Sequence, residues 1–215
     1  MKYNWIKYET PHDGVGTHVS VWIDEDKGLV KRVFDGEHCG PGVSKFKSKS
    51  DIFFKNEVYW LTHPLLSKSK FLPKLIDITE PTKTIIQKYY GPNLLDYLHD
   101  PKGFPVPNLS EQILEMYTFF TEVGVNKLNG ALSNMSFNGD QVIAFDFKWA
   151  RPAPKANAKE IKAFHTWFTK IDPDLVEKLI KMKTSYVPRK KLDYKKRKPY
   201  GLVTRYRNGS NTRKN

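Results

Sequence analysis

Residues Asn126–Ala150 read NKLNGALSNMSFNGDQVIAFDFKWA. The Asn138-Gly139-Asp140 reversal lies between a short run after Asn134 and the apolar run Gln141–Phe145, which predicts a β-hairpin closing on Asp146. The order is loop, strand, turn, strand, carboxylate. An amide oxygen at Asn134 and a carboxylate at Asp146 would then stand on neighbouring loop ends. Such a pair suits magnesium, a hard cation that takes oxygen ligands. The alternative is structural, with Asn134 stabilising a turn and Asp146 capping a strand end.

Upstream, His18–Ile23 and Leu29–Phe34 alternate β-branched and aromatic residues around the acidic turn Asp24–Gly28, which predicts a second hairpin. A Gly-, Ser- and Lys-rich connection, 35–50, leads to a helix through Ile52, Phe53, Glu57, Trp60 and Leu61, with Ser50 or Asp51 as its cap. Lys74–Ile78 and Thr84–Tyr90 read as strands, the latter ended by Gly91-Pro92, and a short helix spans Asn93–His99.

From Ser110 the pattern changes to a 3.6-residue period. Ile113, Leu114, Tyr117 and Phe120 share one side of a helix over 110–123. Two more helices are predicted over 158–170, with Ile161, Phe164, His165 and Phe168 on one face, and from Asp172-Pro173, with Leu175, Leu179 and Met182 buried. Strands with one helix followed mostly by helices make an α+β chain in two lobes.

The 215 residues carry a net charge of +13. Eleven Lys or Arg and one acid, Asp193, fall between Arg189 and Asn215, so that segment holds +10 and the preceding residues +3. A single cysteine, Cys39, excludes an internal disulfide, and no apolar run approaches membrane-span length. The N-terminus lacks the apolar core of a signal peptide, so the expectation is a soluble, cytoplasmic chain.

These pieces together resemble the protein-kinase-like superfamily, with a β-rich N-lobe (1–91), a truncated helical C-lobe (92–187) and a basic tail (188–215). The layout is similar to that of small members such as the RIO, KEOPS-complex, lipopolysaccharide and phage-encoded kinases. Gly14-Val15-Gly16 resembles the family's glycine-rich phosphate loop, with Val19 where a third glycine is expected. Gly28-Leu29-Val30-Lys31 resembles the strand ending in the phosphate-binding lysine, which implies Glu57 as the carboxylate that orients Lys31. Gln87–Tyr90 resembles the adenine-binding hinge, implicating Gln87 and Tyr89. Asn134 and Asp146 match the metal ligands. ATP and magnesium are the implied cofactors.

Two departures bear on activity. Asn129 stands where the catalytic carboxylate is expected, five residues before Asn134, and Lys148 stands where glycine is usual. An amide orients a hydroxyl but does not take its proton. Asn129-Gly130 is also the dipeptide most prone to deamidation when unhindered, which would restore a carboxylate. The resemblance thus implies an ATP/magnesium-dependent phosphotransferase acting on a hydroxyl, impaired at Asn129, or a pseudokinase scaffold. The tail interleaves Lys and Arg with Tyr194, Tyr200 and Tyr206, a composition suited to nucleic acid, to an acidic protein or anionic membrane, or to a solvated segment.

Overall fold

Antiparallel pairings along the first half of the chain build a single sheet, and β3 shows the clearest alternation of burial. In this computed structural model, residues 3–8, 19–35, 49–100, 102–104, 106–137, 139–152 and 158–186 are described. Gly14, Gly16, Cys39 and the tail from 188 onward lie outside them. Strands β1 (Ile6–Lys7), β2 (Ser20–Asp24), β3 (Leu29–Val33), β4 (Leu75–Thr79) and β5 (Thr84–Lys88) form a sheet ordered β1-β2-β3-β5-β4. The predicted hairpin is β2–β3, with Asp24 opposite Leu29 and Trp22 opposite Lys31. Gly28 takes φ +59° in its turn, a conformation open to glycine without steric cost.

Helix α1 (Ser50–Leu61) crosses from β3 to β4. Neither Ser50 nor Asp51 caps it: the cap position is Lys49, which makes no side-chain cap bond, and Ser50 Oγ accepts from Lys83 Nζ at 3.1 Å. At its other end Thr62 donates to Val58 O from both its amide (3.0 Å) and its hydroxyl (2.7 Å), and Pro64 follows.

The second half is mostly helical. Asn93 caps a 3-10 turn, Leu94–Tyr97, through a capping box with Asp96. Helix α2 (Leu109–Glu122) buries Ile113, Met116, Tyr117 and Phe120. After it come β6 (Val125–Asn126), the hairpin β7 (Met135–Phe137) with β8 (Val142–Ala144), and β9 (Arg151–Pro152), which pairs with β6. Helices α3 (Ala158–Phe168) and α4 (Pro173–Ser185) close the chain, α4 packing on both α2 and α3. Asp172 caps α4, accepting from Asp174 N at 2.9 Å.

Edge-to-face rings at the centre of this lobe include Tyr117 on Phe164 (centroids 5.0 Å apart) and Phe120 on Phe147 (5.6 Å). Each such pair adds about 0.5–1.5 kcal/mol to the burial of the rings. His165 is exposed, and the buried face of α3 is Glu160, Phe164 and Phe168. Glu160 pairs with Lys183 at 3.1 Å, both side chains almost wholly buried, so two charges sit where the apolar pattern predicted a plain helix seam. Periodicity could not reveal them, because a buried charge is tolerated only through a partner distant in sequence.

The order of elements is the expected α+β one: a β-rich part carrying one helix, then a mostly helical part.

Candidate nucleotide site

Helix α1 presents Phe53, Asn56, Glu57 and Trp60 at i, i+3, i+4 and i+7, one continuous stripe. That stripe grips the segment after β8. Asn56 Nδ2 donates to Lys148 O (2.7 Å) and Ala150 O (3.1 Å), Trp60 Nε1 donates to Ala150 O (3.2 Å), and the Phe53 ring lies 4.6 Å from that of Trp149. Asp146 is thereby carried to the sheet.

Arg32 meets it there. The guanidinium pairs with Glu57 through Nη1 and with Asp146 Oδ1 through Nη2 at 3.2 Å. This corrects the assignment of Lys31 as Glu57's partner. Side chains alternate faces along a strand, so one residue's shift in register reverses direction. Arg32 faces α1 and is 5% exposed. Lys31 faces the other way, with Nζ 4.9 Å from the Trp5 ring and 4.4 Å from the Trp22 ring. Burial opposes the charge of Arg32, but Glu57 and Asp146 outweigh it and raise the guanidinium's affinity for its proton.

Asp146 sits at φ +66°, a left-handed conformation unusual for a residue with a side chain. Its two oxygens accept four hydrogen bonds. Lys148 Nζ reaches Oδ1 at 2.7 Å and Oδ2 at 2.6 Å, Arg32 reaches Oδ1, and Asn129 Nδ2 reaches Oδ2 at 3.2 Å. Burial alone would raise its pKa, but Lys148, then Arg32 and Lys127, hold the carboxyl well below the usual range.

Asn129 belongs to a strained turn. Its amide donates to Lys127 O at 2.7 Å across Leu128, whose φ is +61°, a three-residue turn seldom adopted by residues other than glycine. Lys127 Nζ closes the loop, donating to Asn129 O at 2.6 Å and lying over the Phe147 ring at 5.4 Å. It is fully buried, and desolvation lowers its pKa to about 8 against the pull of Asp146 and Glu57. Beneath, Asn126 accepts from Leu128 N (3.0 Å) and donates to Glu160 (2.9 Å), tying the turn to the Glu160–Lys183 pair.

Asn134 comes near Asp146 through the backbone: its carbonyl accepts from Phe145 N at 3.1 Å. Gln87 lies opposite Val30, on the face that carries Arg32; it is 3% exposed, and Oε1 has no hydrogen-bond partner among the described residues. Tyr89 is half-buried, and burial first, then Glu25, raises its phenol's pKa. The amides of Lys88 and Tyr89 are already engaged by Lys74 O (2.9 Å) and Gly28 O (2.8 Å). The predicted hinge thus offers a buried side-chain acceptor, and these two amides belong to the sheet. Ser136 Oγ, within 2.7 Å of Tyr90 O and 2.8 Å of Pro92 O, fastens that hinge to β7. A concavity of about 680 Å³ lined by Leu72, Tyr90 and Gln141 contains none of Arg32, Glu57, Asn129 or Asp146. The ion network, more than surface shape, marks the site.

Sequence reasoning brought together Glu57, Asn129, Asn134 and Asp146 and missed Arg32, Asn56 and Lys127. No local signal singles out Arg32, because Leu29–Phe34 places one basic residue between apolar neighbours on each face of β3, and only the structure shows that Val30 and Arg32 are the buried phase. Magnesium fits poorly in this arrangement. A carboxylate has about four lone-pair sites, and those of Asp146 all receive protein donors.

No family model matches the sequence, and no curated protein matches it. Solved structures do. A monomeric form of WbdD matches with TM-score 0.59 and 12% identity over 84% of this chain and 49% of that one. The bifunctional kinase-methyltransferase WbdD matches with TM-score 0.58 and 13% identity over 83% and 45%. WbdD crystallised with a kinase inhibitor matches with TM-score 0.56 and 11% identity over 78% and 43%. The chain therefore spans under half the length of these structures, and the likeness establishes the fold, protein-kinase-like.

Proposed function

We propose that this protein-kinase-like chain binds ATP between its lobes and is at best a slow phosphotransferase toward hydroxyl acceptors, a nucleotide-binding pseudokinase in its working role. The observation that carries the reading is the buried cluster in which Arg32, Lys127 and Lys148 meet Glu57 and Asp146, three cations against two carboxylates, at the junction of the sheet, helix α1 and the segment after the β7–β8 hairpin. Phosphates would meet that cluster. Gln87 Oε1 is a buried acceptor on the same sheet face, suited to the exocyclic amine of adenine. Loss of general-base help follows from composition, because no Asp or Glu occurs from Val123 through Gly139. That help is ordinarily worth about 10²–10⁴ in rate.

Calorimetric titration with ATP tests the reading. We expect saturable binding to the parent, a loss of at least about tenfold in Arg32→Gln, and no change in Lys31→Gln; absence of binding to the parent defeats the proposal. ADP release measured on the same preparations at the buffer background supports the pseudokinase role, and turnover at ordinary kinase rates, about 1–100 per second, defeats it.

A further inference from the structure

The contact between Lys148 and Asp146 is unlike a surface ion pair. Their side chains are only 10% and 8% exposed, and one ammonium spans both carboxylate oxygens. Exposed pairs of this kind contribute little because water screens them and the side chains are free. Here neither condition holds. The Lys148 backbone is pinned by Asn56, and its carboxylate partner is fixed from the other side by Arg32 and Asn129.

Charge counting gives the same direction. Arg32, Lys127 and Lys148 surround Glu57 and Asp146, three cations against two carboxylates among the described residues. The cluster is net positive without any metal. An added divalent ion would meet repulsion from three cations and would need lone pairs that Asp146 has already committed. Magnesium demands close, near-octahedral oxygen coordination and does not share a carboxylate whose acceptor sites are filled. No group of three or more His, Cys, Asp or Glu elsewhere among the described residues could hold it instead. A triphosphate, by contrast, is drawn to a positive, partly dry cluster.

We propose that the Lys148 ammonium takes the place of a divalent cation, so that the site binds nucleoside triphosphate in its metal-free form. This rests on the nucleotide reading above and adds the ionic form of the ligand. Lys148 bridges Asp146 and the incoming phosphates as a tethered monocation. Added magnesium weakens binding by complexing free ATP and reducing its charge.

Calorimetric titration of the full chain with ATP, once in EDTA and once with excess magnesium, tests it. The parent is expected to bind in EDTA at least about tenfold tighter than with magnesium. Lys148→Ala is expected to lose at least about tenfold in EDTA and to recover part of it with magnesium, while Lys148→Arg keeps the parent's preference. Binding by the parent only when magnesium is present overturns the inference and leaves the nucleotide reading standing. Absence of binding in both buffers overturns the nucleotide reading and this inference with it. The parent titrations decide the matter even where Lys148→Ala does not fold.

Discussion

Arg32 pairs with Glu57 from the buried face of β3, while its neighbour Lys31 lies over Trp5 and Trp22 on the opposite face. Removing the first leaves two buried carboxylates without their shared cation; removing the second forfeits only cation–π contacts. Arg32→Met is therefore expected to cost about 3–5 kcal/mol of stability and Lys31→Met no more than about 1 kcal/mol. Urea unfolding monitored by tryptophan fluorescence measures both, and equal losses would contradict the placement.

Glu160 and Lys183 form a second buried pair, wedged beneath Asn126. Lys183→Met strands a carboxylate and should destabilise by about 3–5 kcal/mol, whereas Glu160→Met with Lys183→Met should recover most of that loss. The Asn126 amide, deprived of Glu160 in the double variant, keeps the recovery incomplete. A thermodynamic cycle of the four proteins reads out the coupling, and additive losses would refute it.

Lys127 links stability to alkaline pH. Its folded pKa of about 8 lies below the ordinary lysine value of 10.5, so between the two the unfolded chain binds the extra proton and stability rises with pH. The stability of the parent relative to Lys127→Met should climb by about 3 kcal/mol between pH 8 and 10.5. A flat difference would show that Lys127 keeps its charge.

Asp146 acts at the other end of the scale. Its folded pKa is depressed by Lys148, Arg32 and Lys127 against the effect of burial, so its contribution is complete above the ordinary value of 3.8 and is lost as pH falls below it. Asp146→Asn should be less stable than the parent at pH 7, and the two should converge toward pH 2. Convergence is read from paired urea midpoints across that range.

Asn129 is not the unhindered residue its dipeptide suggests. Its amide, carbonyl and side chain are all hydrogen-bonded, and buried Gly130 leaves no room for a Cβ, which would lie 2.7 Å from the Tyr117 hydroxyl. Deamidation needs the chain to swing freely here. Peptide masses should therefore be unchanged after ageing of the folded protein and shift only after ageing in denaturant. Asn129→Asp, which replaces a donor to Asp146 by a second carboxylate, should destabilise at pH 7 by about 1–3 kcal/mol and less near pH 4.

Alternation in residues 18–34, the period of residues 110–123 and the reversal before Gln141 were enough to order the lobes, because local periodicity decides which face of an element is buried. The nearness of Asn129 and Glu57 to Asp146 followed from their spacing in a known pattern, whereas Asn134 approaches Asp146 only through its backbone carbonyl. Which of two adjacent basic residues on β3 reaches Glu57 was decided by strand register, a property of the whole sheet. The saturation of Asp146 by Lys148, Arg32 and Asn129, and the burial of Lys127 and of Glu160 with Lys183, were also left to the tertiary structure. Burial and charge pairing depend on partners up to 114 residues apart, as Arg32 and Asp146 are, and no local pattern in a sequence encodes such a distance.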